Sequence, residues 1–396
     1  MNERNTINVG VTGTNGKTST VDLARKILQY TDFIPASLGT LGLHIKDTLP
    51  YEPLLIGPEA IPELVNELNE DYQADVFIFE AFSAAIMGKL YDGLPIDIAV
   101  LTYIGEDHLD YHKSKENYVS AKLRLFKELL HENGIAIYNA TDERALELKH
   151  ICDQRNIRTF TFGFDHKADL YLKDVEVTND HSKGILKYQD NEYQISVPFM
   201  GNIFLLNWLA ALSITLQFQV QLDLLLKTSR SLTLPPGRLE YIGSYNDARV
   251  YVDYAHTADA LKAVLAALRK VSNGSIHLVF GCGGGRDVAK RSQMGVVAQH
   301  HADTIYITDD NPRDEDPKMI REQIMEFCPK AIQIDGRANA INQAISNLKI
   351  NDILLVAGKG HENYQELKGH KEYFSDKETI RTYIDKTKPK FQNHEL

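Results

Sequence analysis

The segment Ile7-Asn8-Val9-Gly10-Val11-Thr12 is followed directly by Gly13-Thr14-Asn15-Gly16-Lys17-Thr18-Ser19. The first part is an apolar run typical of a buried strand, and the second is a glycine-rich turn that opens a helix. Glycines let backbone N–H groups curl around phosphate oxygens, while Lys17 can neutralise the terminal phosphates and Thr18 can offer its hydroxyl to Mg²⁺. Val11 stands where the strict phosphate-loop pattern, Gly-x-x-x-x-Gly-Lys-Thr, has its first glycine. The alternative to a phosphate loop is an ordinary glycine-rich turn. The strand before and the apolar helix after favour a phosphate loop that binds a nucleoside triphosphate.

Composition indicates a globular protein of two or three domains. The chain has 396 residues, of which 43% are hydrophobic and 24% are charged, which is ordinary for such proteins. Its net charge of −11 argues against a nucleic-acid partner, because no basic excess is available to neutralise a phosphate backbone. Anionic small ligands remain compatible with this charge, since single loops can be positive on an acidic protein.

Cysteine usage and the N-terminus favour a cytoplasmic location. The three cysteines, Cys152, Cys282 and Cys328, are far apart and lack metal-binding spacing, as expected in a reducing compartment. Polar residues run straight into the first strand without an apolar signal region. The longest apolar-rich stretch, 204–218, is interrupted by polar residues, so it predicts a buried helix and no membrane span.

Strands alternate with helices through the first half of the chain. Short apolar runs at Asp75–Glu80, Ile96–Thr102 and Gly134–Asn139 predict strands, and the pattern of Glu116–Leu130 predicts a helix between two of them. This rhythm is typical of a parallel sheet covered by helices. From Leu170 to Phe199 the pattern changes to apolar–polar alternation with polar turns, which predicts appended antiparallel hairpins.

The segment Leu234-Pro235-Pro236-Gly237 is the predicted boundary between two domains, 1–234 and 235–396, because prolines stiffen a joint. The α/β rhythm then restarts with predicted strands at Arg249–Asp253, Ile276–Phe280, Thr304–Thr308, Ala331–Ile334 and Asp352–Ala357. We therefore expect an α/β protein. Its first domain is a phosphate-loop parallel sheet with antiparallel hairpins, and its second is a Rossmann-like α/β domain.

Further motifs follow the phosphate loop in a definite order. Glu80 ends a strand, Asp107-His108-Leu109-Asp110 follows the next strand, and Lys122 comes fourteen residues after His108. The second half adds Pro236-Gly237-Arg238, Asp253-Tyr254-Ala255-His256, Gly281-Cys282-Gly283-Gly284-Gly285-Arg286, Asp310-Asn311-Pro312-Arg313 and Gly358-Lys359-Gly360-His361-Glu362. In this order, over nearly the whole chain, the motifs resemble the Mur ligase family. The resemblance is strongest to members that add diaminopimelate or lysine to UDP-N-acetylmuramoyl-dipeptide.

The resemblance implies an ATP- and Mg²⁺-dependent amide ligase. A carboxylate attacks the γ-phosphate to give an acyl phosphate, and an amine then displaces phosphate. By the same resemblance Lys17, Glu80, His108 and Lys122 are catalytic. Thr18 and Glu80 hold one Mg²⁺, His108 helps to hold a second, and Lys122 is carbamylated, which turns an ammonium into an anionic oxygen ligand. The alternatives are a structural loop histidine at 108 and a solvated helix lysine at 122.

The resemblance also assigns ATP contacts outside the phosphate loop. It places Asp253 on the ribose, Arg238 on the phosphates and His256 beside the nucleotide. Asn207 resembles half of an adenine-contacting pair, in which Phe204 replaces the other asparagine. The alternative for His256 is a residue that merely neighbours a helix cap.

The incoming amino acid is assigned, again by resemblance, to residues of the second domain: Arg286, Asp310, Asn311, Arg313, Gly358 and Glu362. An arginine fork suits a carboxylate, and a glutamate can accept hydrogen bonds from an ammonium. Diaminopimelate, whose far end carries both groups, would use both. The alternative for Arg313 is a surface salt bridge with Asp314 or Glu315.

Departures from the family pattern lie mostly on the side of the carboxylate substrate. The phosphate loop begins almost at residue 1, so we expect the family's N-terminal UDP-sugar domain to be absent. Phe82-Ser83-Ala84 replaces the usual Ser-Ser-His, and Ile56-Gly57-Pro58 replaces Thr-Thr-Pro. On the amino-acid side, Gly285 stands in place of an aspartate. We therefore expect an unusual acceptor that is smaller, less polar or carried by a partner protein.

Three interpretations remain open from the sequence. The first is a ligase of this type that joins a small-molecule amino acid to an unusual carboxylate. The second is a shortened muramoyl-tripeptide ligase of peptidoglycan synthesis whose UDP-binding part belongs to another chain. The third is a nucleotide-binding scaffold without catalysis, against which the joint presence of Lys17, Glu80, His108 and Lys122 speaks.

Overall fold

The computed structural model describes residues 6–50 and 59–387. The chain divides into two compact units, Met1–Pro235 and Pro236–Leu396, and each has its own sheet and apolar core. Within the described ranges, no helix combines the length and the apolar character that a membrane crossing requires.

The first unit is built on a ten-stranded sheet. Its strands are β1 (Ile7–Thr12), β2 (Pro35–Gly39), β3 (Gly42–Ile45), β4 (Val76–Glu80), β5 (Ile96–Leu101), β6 (Leu130–Asn139), β7 (Arg158–Gly163), β8 (Leu170–Val177), β9 (Ser182–Tyr188) and β10 (Asn191–Val197). They lie in the order β10-β9-β8-β7-β6-β5-β1-β4-β2-β3. Pairing is parallel from β2 to β8 and antiparallel for β2 with β3 and along β8, β9 and β10. The predicted parallel sheet with appended antiparallel hairpins is confirmed.

Helices cover this sheet: α1 (Lys17–Leu28), α2 (Ala60–Glu70), α3 (Ser83–Met87), α4 (Leu109–His112), α5 (Lys115–Arg124), α6 (Ala145–Gln154), α7 (Asn202–Leu216) and α8 (Leu222–Ser229). α7 is buried along most of its length, as the apolar stretch predicts. The helix predicted over 116–130 is shorter, because α5 ends at Arg124 and a π-helical turn covers Leu125–Leu129. Leu130 already pairs with Ile96 at a bulge, so strand pairing ends the helix.

β1 lies in the interior of the sheet between two parallel neighbours, β4 and β5. The register sets Val11 opposite Glu80 and Thr12 opposite Leu101. The carboxyl ends of the three strands therefore meet at one edge, where ligands of open α/β sheets bind. This register brings the phosphate loop, Glu80 and the segment after β5 together.

The second unit contains a six-stranded sheet in the order β11-β12-β16-β13-β14-β15. These strands are β11 (Glu240–Tyr245), β12 (Ala248–Asp253), β13 (Ile276–Phe280), β14 (Thr304–Ile307), β15 (Ile332–Gln333) and β16 (Ile353–Ala357), and a separate hairpin joins β17 (Tyr364–Leu367) to β18 (His370–Tyr373). The helices are α9 (Ala258–Val271), α10 (Ala289–His301), α11 (Pro317–Met325), α12 (Arg337–Ser346) and α13 (Asp376–Thr387). All pairs in the sheet are parallel except β11 with β12, which confirms the α/β prediction for this half.

The loop before β11 and the loop after β16 approach each other closely. Gly237 has a φ of 71°, and a Cβ there would overlap the backbone nitrogen of His361. Only glycine combines this left-handed backbone with so close a contact. The loop before β11 is therefore fixed against the loop after β16.

Candidate active site

The phosphate loop is tied to the segment that follows β5 by backbone and side-chain hydrogen bonds. Thr14 N donates to Tyr103 O at 2.6 Å, and Gly105 N donates to Thr14 Oγ1 at 2.9 Å. Thr14 Oγ1 also lies 2.9 Å from the hydroxyl of Tyr118 on α5. The loop is thus shaped by residues from two other elements of the first unit.

Gly16 and Asn207 meet at the start of α1. Gly16 has a φ of 94°, and a Cβ there would overlap Oδ1 of the buried Asn207 on α7. Thr102 Oγ1 donates to Asn15 O at 2.7 Å from the other side. Asn207 therefore packs against the phosphate loop itself, while its contact with adenine stays a prediction. Phe204 of the same helix is buried.

Two lysines converge on one carbonyl of the loop. Lys17 Nζ donates to Gly13 O at 2.9 Å and to Thr14 O at 3.0 Å, and Lys122 Nζ donates to Gly13 O at 2.8 Å. Lys122 is only 2% exposed, and its ammonium lies 4.5 Å from the centre of the Tyr118 ring. Burial, followed by the nearby charge of Lys17, holds the pKa of Lys122 well below its usual value, although Asp107 opposes the shift. Lys122 is thus a buried amine beside the phosphate loop, and the alternative of a solvated helix lysine is wrong.

Thr18 and Glu80 bring oxygen atoms together beside the loop. Thr18 Oγ1 donates to Glu80 Oε2 at 3.1 Å, and Thr40 N donates to Glu80 Oε1 at 2.7 Å. A hydroxyl and a carboxylate are the hard donors that Mg²⁺ prefers, and Mg²⁺ usually takes one or two protein ligands plus phosphate and water. Two oxygen donors from the protein therefore fit a Mg²⁺ that is also bound by phosphate and water.

His108 occupies a left-handed backbone position, with a φ of 55°. Its backbone N donates to Asp107 Oδ1 at 2.9 Å, and its Nε2 lies 3.5 Å from Asp107 Oδ2. Its ring centre is 6.4 Å from that of Tyr118, the aromatic ring that also contacts Lys122. The histidine side chain is 45% exposed, so the imidazole is not enclosed by the protein.

In the segment that replaces Ser-Ser-His, Ser83 is buried, whereas Phe82 and Ala84 are exposed. Ser83 Oγ lies 2.9 Å from Nε2 of His112, and both side chains are buried. Phe82 is 40% exposed, and its ring centre lies 5.6 Å from Lys17 Nζ. Sequence reasoning missed His112, because one histidine in a short loop carries no pattern of its own. Ile56-Gly57-Pro58 lies outside the described residues.

In the second unit, the predicted nucleotide contacts cluster around Tyr254. The guanidinium of Arg238 lies 4.4 Å from the centre of the Tyr254 ring, and His256 Nδ1 lies 2.9 Å from Tyr254 O. The buried Asp253 accepts backbone hydrogen bonds from Leu239 N at 2.6 Å and Ala255 N at 2.7 Å. Burial raises the pKa of Asp253, and Arg238 opposes that shift. The carboxylate therefore organises its own loop, and its contact with a ribose stays a prediction.

Four of the six predicted amino-acid residues, Asp310, Asn311, Arg313 and Glu362, belong to a hydrogen-bonded cluster around Asn311. Asn311 Nδ2 donates to Glu362 Oε2 at 3.1 Å. Lys359 Nζ donates to Asn311 Oδ1 at 3.0 Å and to Glu362 Oε2 at 2.8 Å. Lys359 has no exposed side-chain surface, and sequence reasoning did not assign it. Asp310 Oδ1 accepts from Asn311 N at 2.8 Å, and Gly358 N donates to Asp253 O at 3.1 Å.

Arg313 lies in the same cluster and pairs with a residue that the sequence did not suggest. Its Nε donates to Glu366 Oε2 at 3.0 Å, and its Nη1 donates to Gly284 O at 2.7 Å. The alternative partners Asp314 and Glu315 are not the ones used; instead Glu315 Oε1 accepts from Gly285 N at 2.6 Å. Arg286, one residue farther along, is exposed.

Comparison with known proteins identifies the family to which this chain is similar. Residues 11–215 match the family described as "Mur ligase middle domain", and residues 237–360 match "Mur ligase, glutamate ligase domain". The UDP-N-acetylmuramoyl-L-alanyl-D-glutamate–2,6-diaminopimelate ligase of Rickettsia rickettsii is 37% identical over 385 residues, which are 95% of this chain and 79% of the relative. The ligase of the same name from Anaplasma marginale is 39% identical over 382 residues, which are 94% of this chain and 78% of the relative.

Solved structures agree with these matches. One ligase of the same name is 31% identical, with a TM-score of 0.66 over 96% of this chain and 78% of its own. Folylpolyglutamate synthase of Mycobacterium tuberculosis, complexed with ADP and AMPPCP, has a TM-score of 0.76 over 90% of this chain and 89% of its own. At 18% identity that second likeness concerns the fold alone. Two matched domains in the expected order and relatives above 35% identity make the chain a member of the Mur ligase family, whose members are ATP-dependent amide ligases.

Proposed function

We propose that this Mur ligase joins an amino acid, such as diaminopimelate or lysine, to a carboxylate acceptor other than UDP-muramoyl-dipeptide. The reaction proceeds through an acyl phosphate formed from ATP. The observation that carries the proposal is the convergence of Lys17 and Lys122 on Gly13 O beside the Thr18–Glu80 pair. These groups surround the loop that would hold the phosphates. ATP and free amino acids are cytoplasmic metabolites, so we place the reaction in the cytoplasm.

The first step needs positioning and charge neutralisation more than covalent help. An oxygen of the acceptor carboxylate attacks the γ-phosphorus, and ADP leaves. Backbone N–H groups of the loop and the ammonium of Lys17 hold the phosphates. Thr18 and Glu80 would hold a Mg²⁺ that neutralises phosphate oxygens when bound. His108, whose side chain is 45% exposed, and a carbamylated Lys122 would supply ligands for a second ion.

The environment of Lys122 supports its modification. Carbon dioxide adds only to a neutral amine, and a buried amine with a lowered pKa is more often neutral near pH 7. An unmodified ammonium cannot ligate a cation, so the proposed role of Lys122 depends on the carbamate.

In the second step the amine of the amino acid attacks the acyl carbon, inorganic phosphate leaves, and the amine loses a proton. Glu362 is suited to accept hydrogen bonds from an ammonium. Its Oε2 is already fixed by Asn311 and the buried Lys359. Arg286 and Arg313 are suited to a carboxylate. This combination favours an amino acid with a zwitterionic far end, of which diaminopimelate is the prototype.

The acceptor side of the site supports an apolar carboxylic acid. Ser83, the one serine left in the Phe82-Ser83-Ala84 segment, is buried against His112. Beside Lys17, the exposed ring of Phe82 offers an apolar surface. We therefore propose an acceptor whose acyl group carries an apolar or aromatic surface near its carboxylate, free or attached to a carrier protein.

A second candidate is favoured by the relatives' names. Relatives that cover 95% of this chain are UDP-N-acetylmuramoyl-L-alanyl-D-glutamate–2,6-diaminopimelate ligases. On this alternative the chain makes the muramoyl tripeptide of peptidoglycan, with help from another chain in binding the UDP-sugar. The two candidates differ only in the acceptor.

The deciding experiment traps the acyl phosphate with hydroxylamine in the presence of ATP and Mg²⁺. The acceptors tested are UDP-muramoyl-dipeptide, benzoate, cinnamate and short polar acids, and mass spectrometry identifies each hydroxamate. Parallel reactions with meso-diaminopimelate or lysine identify the amide product. Hydroxamate from the aromatic acids supports the proposal, and tripeptide from the UDP substrate supports the alternative. ATP binding without any hydroxamate or amide would leave only the scaffold interpretation.

The variant Phe82→Ser tests the acceptor class. Loss of the exposed ring should raise the KM for an aromatic acid by about tenfold, the scale at which apolar contacts discriminate substrates. Met87→Ser is a matched control, because Met87 is also exposed on α3 but is not placed beside Lys17. Equal effects of the two changes would contradict a role for Phe82.

A further inference from the structure

Glu366 lies on β17 and contacts two of the predicted amino-acid-binding residues through three separate groups. Its carboxylate accepts from Arg313 Nε at 3.0 Å, its carbonyl accepts from Arg313 N at 3.0 Å, and its N–H donates to Asn311 Oδ1 at 3.0 Å. Asn311 in turn donates to Glu362 at 3.1 Å. Glu366 thus joins the predicted carboxylate-binding side of the cluster to the predicted ammonium-binding side.

The backbone of Arg313 depends on the same strand. Its φ of 54° lies in the left-handed region, which is strained for a residue with a side chain. The strand compensates on both sides, because Arg313 N donates to Glu366 O at 3.0 Å and Lys368 N donates to Arg313 O at 2.8 Å. The hairpin formed by β17 and β18 therefore fixes the backbone position from which the Arg313 side chain extends.

The contacts of the guanidinium limit how it can meet a ligand. Nε is used by Glu366 and Nη1 by Gly284 O at 2.7 Å. No hydrogen bond of Nη2 occurs within the part of the chain that is described. An arginine held at two of its three nitrogens presents the third in a fixed place, and a preorganised donor binds more tightly than a mobile one.

We propose that Glu366 is the positioning residue of the amino-acid site, holding Arg313 so that Nη2 is the donor offered to the substrate's carboxylate. The inference rests on the proposed function, in which Arg313 binds that carboxylate. Glu366 acts through Arg313 and does not itself touch the substrate. Its side chain is 28% exposed and that of Arg313 24%, so the pair lies at the edge of the site where a ligand can reach the arginine.

The test compares Glu366→Ala, Glu366→Gln and the control Glu372→Ala in the full chain. Alanine removes the acceptor, whereas glutamine keeps an oxygen for Arg313 Nε and removes only the charge. Glu372 is an exposed glutamate on β18 of the same hairpin. Steady-state rates with varied meso-diaminopimelate separate KM from kcat, and calorimetric titration with meso-diaminopimelate measures binding without turnover.

We expect Glu366→Ala to raise the KM and the Kd for the amino acid by about tenfold, the scale of one charged hydrogen bond, with kcat and the KM for ATP within about threefold of wild type. Glu366→Gln should restore most of the affinity, and Glu372→Ala should match wild type. An unchanged KM and Kd in Glu366→Ala would overturn the proposal. A glutamine variant as weak as the alanine variant would also overturn it, because the charge and not the position would then matter.

The two proposals fail in different ways. Wild-type protein that binds meso-diaminopimelate but forms no amide refutes the proposed reaction, and the calorimetric affinities still decide the role of Glu366. If alanine destabilises the hairpin, the thermal midpoint falls in Glu366→Ala, and Glu366→Met then carries the test. Methionine fills a similar space without an acceptor, so the Kd for meso-diaminopimelate should again rise about tenfold, and an unchanged Kd would overturn the proposal. Wild-type protein with no affinity for either diaminopimelate or lysine refutes both.

Discussion

Arg337 and Asp376 form an ion pair in the second unit with no exposed surface on either side chain. Arg337 Nε and Nη2 donate to the two carboxylate oxygens at 2.7 and 2.8 Å. Nη2 also donates to Ala357 O at 2.9 Å, and Nη1 donates to Asp309 O at 3.3 Å. The pair therefore lies directly behind the loops that follow β14 and β16, and its loss should be felt in both stability and substrate binding.

We predict that Asp376→Ala lowers the free energy of unfolding by about 3–5 kcal/mol, because it leaves a buried guanidinium without its counter-charge. A loss of this size lowers the ratio of folded to unfolded protein by roughly two to three and a half powers of ten. The double change Arg337→Met with Asp376→Leu removes both charges. Relief of desolvation then offsets the donors lost by Ala357 O and Asp309 O, so we expect a smaller loss of about 1–2 kcal/mol.

Native-state hydrogen exchange of α12 and α13 peptides measures these free energies within the second unit. The control is Glu322→Ala in α11, whose partner Lys318 lies 3.7 Å away with 67% of its side chain exposed. An exposed pair of this kind contributes less than about 1 kcal/mol. The reasoning would be refuted if Asp376→Ala lost no more free energy of unfolding than Glu322→Ala. It would also be refuted if the double variant were less stable than Asp376→Ala.

Three further predictions concern the first unit and the loop after β16. Lys122→Ala should lower turnover at least about 100-fold while nucleotide still binds, with partial rescue by a short carboxylic acid that enters the vacated space, as single-turnover ADP formation can measure. Tyr118→Phe removes the hydrogen bond to Thr14 and should weaken ATP binding by about three- to tenfold, measured by nucleotide titration. Burial, helped by the charge of Arg238, lowers the pKa of His361 to about 4. Between pH 6.5 and 4 the folded state therefore binds fewer protons than the unfolded state, so the wild type loses stability as the pH falls. His361→Gln should reduce the slope of this loss by up to about 1.4 kcal/mol per pH unit, measured by urea midpoints.

Each of these predictions has an outcome that contradicts it. Wild-type turnover in Lys122→Ala would remove the carbamate from the proposed chemistry. Unchanged nucleotide affinity in Tyr118→Phe would mean that the loop keeps its shape without the phenol. Parallel acid profiles for the wild type and His361→Gln would mean that the imidazole titrates with its ordinary pKa in the folded chain.

The alternation of strands and helices could be predicted because each parallel strand is a short apolar run bounded by polar residues. β13 begins and ends where its apolar run does, at Ile276 and Phe280. β11 was not predicted, because an edge strand with partly exposed residues lacks such a run. The hairpin of β17 and β18 was missed for the same reason, since β18 is exposed throughout.

Site residues could be predicted where a local motif carries the chemistry, as in the phosphate loop. Their partners could not, because tertiary pairing chooses among many equivalent carboxylates. Arg313 has acidic neighbours in sequence, yet it pairs with Glu366, because β17 lies against its backbone. The helix pattern around Lys122 alone would suit a surface lysine, and the flanking motifs were needed to assign it to the site. Its burial against the loop is a tertiary contact that the helix pattern does not predict.

The contact between Gly16 and Asn207 has a consequence for the order of folding. The loop sequence is complete within the first 19 residues, but the helix that packs against it comes far later, and Thr20 Oγ1 reaches the carbonyl of Asn207 across 187 positions. Closing so long a segment is entropically slow. A nascent chain in which α7 has not yet been synthesised therefore has the phosphate-loop sequence but lacks Asn207, the residue that packs against the loop. We expect nucleotide affinity to appear during synthesis only after residue 216 has left the ribosome.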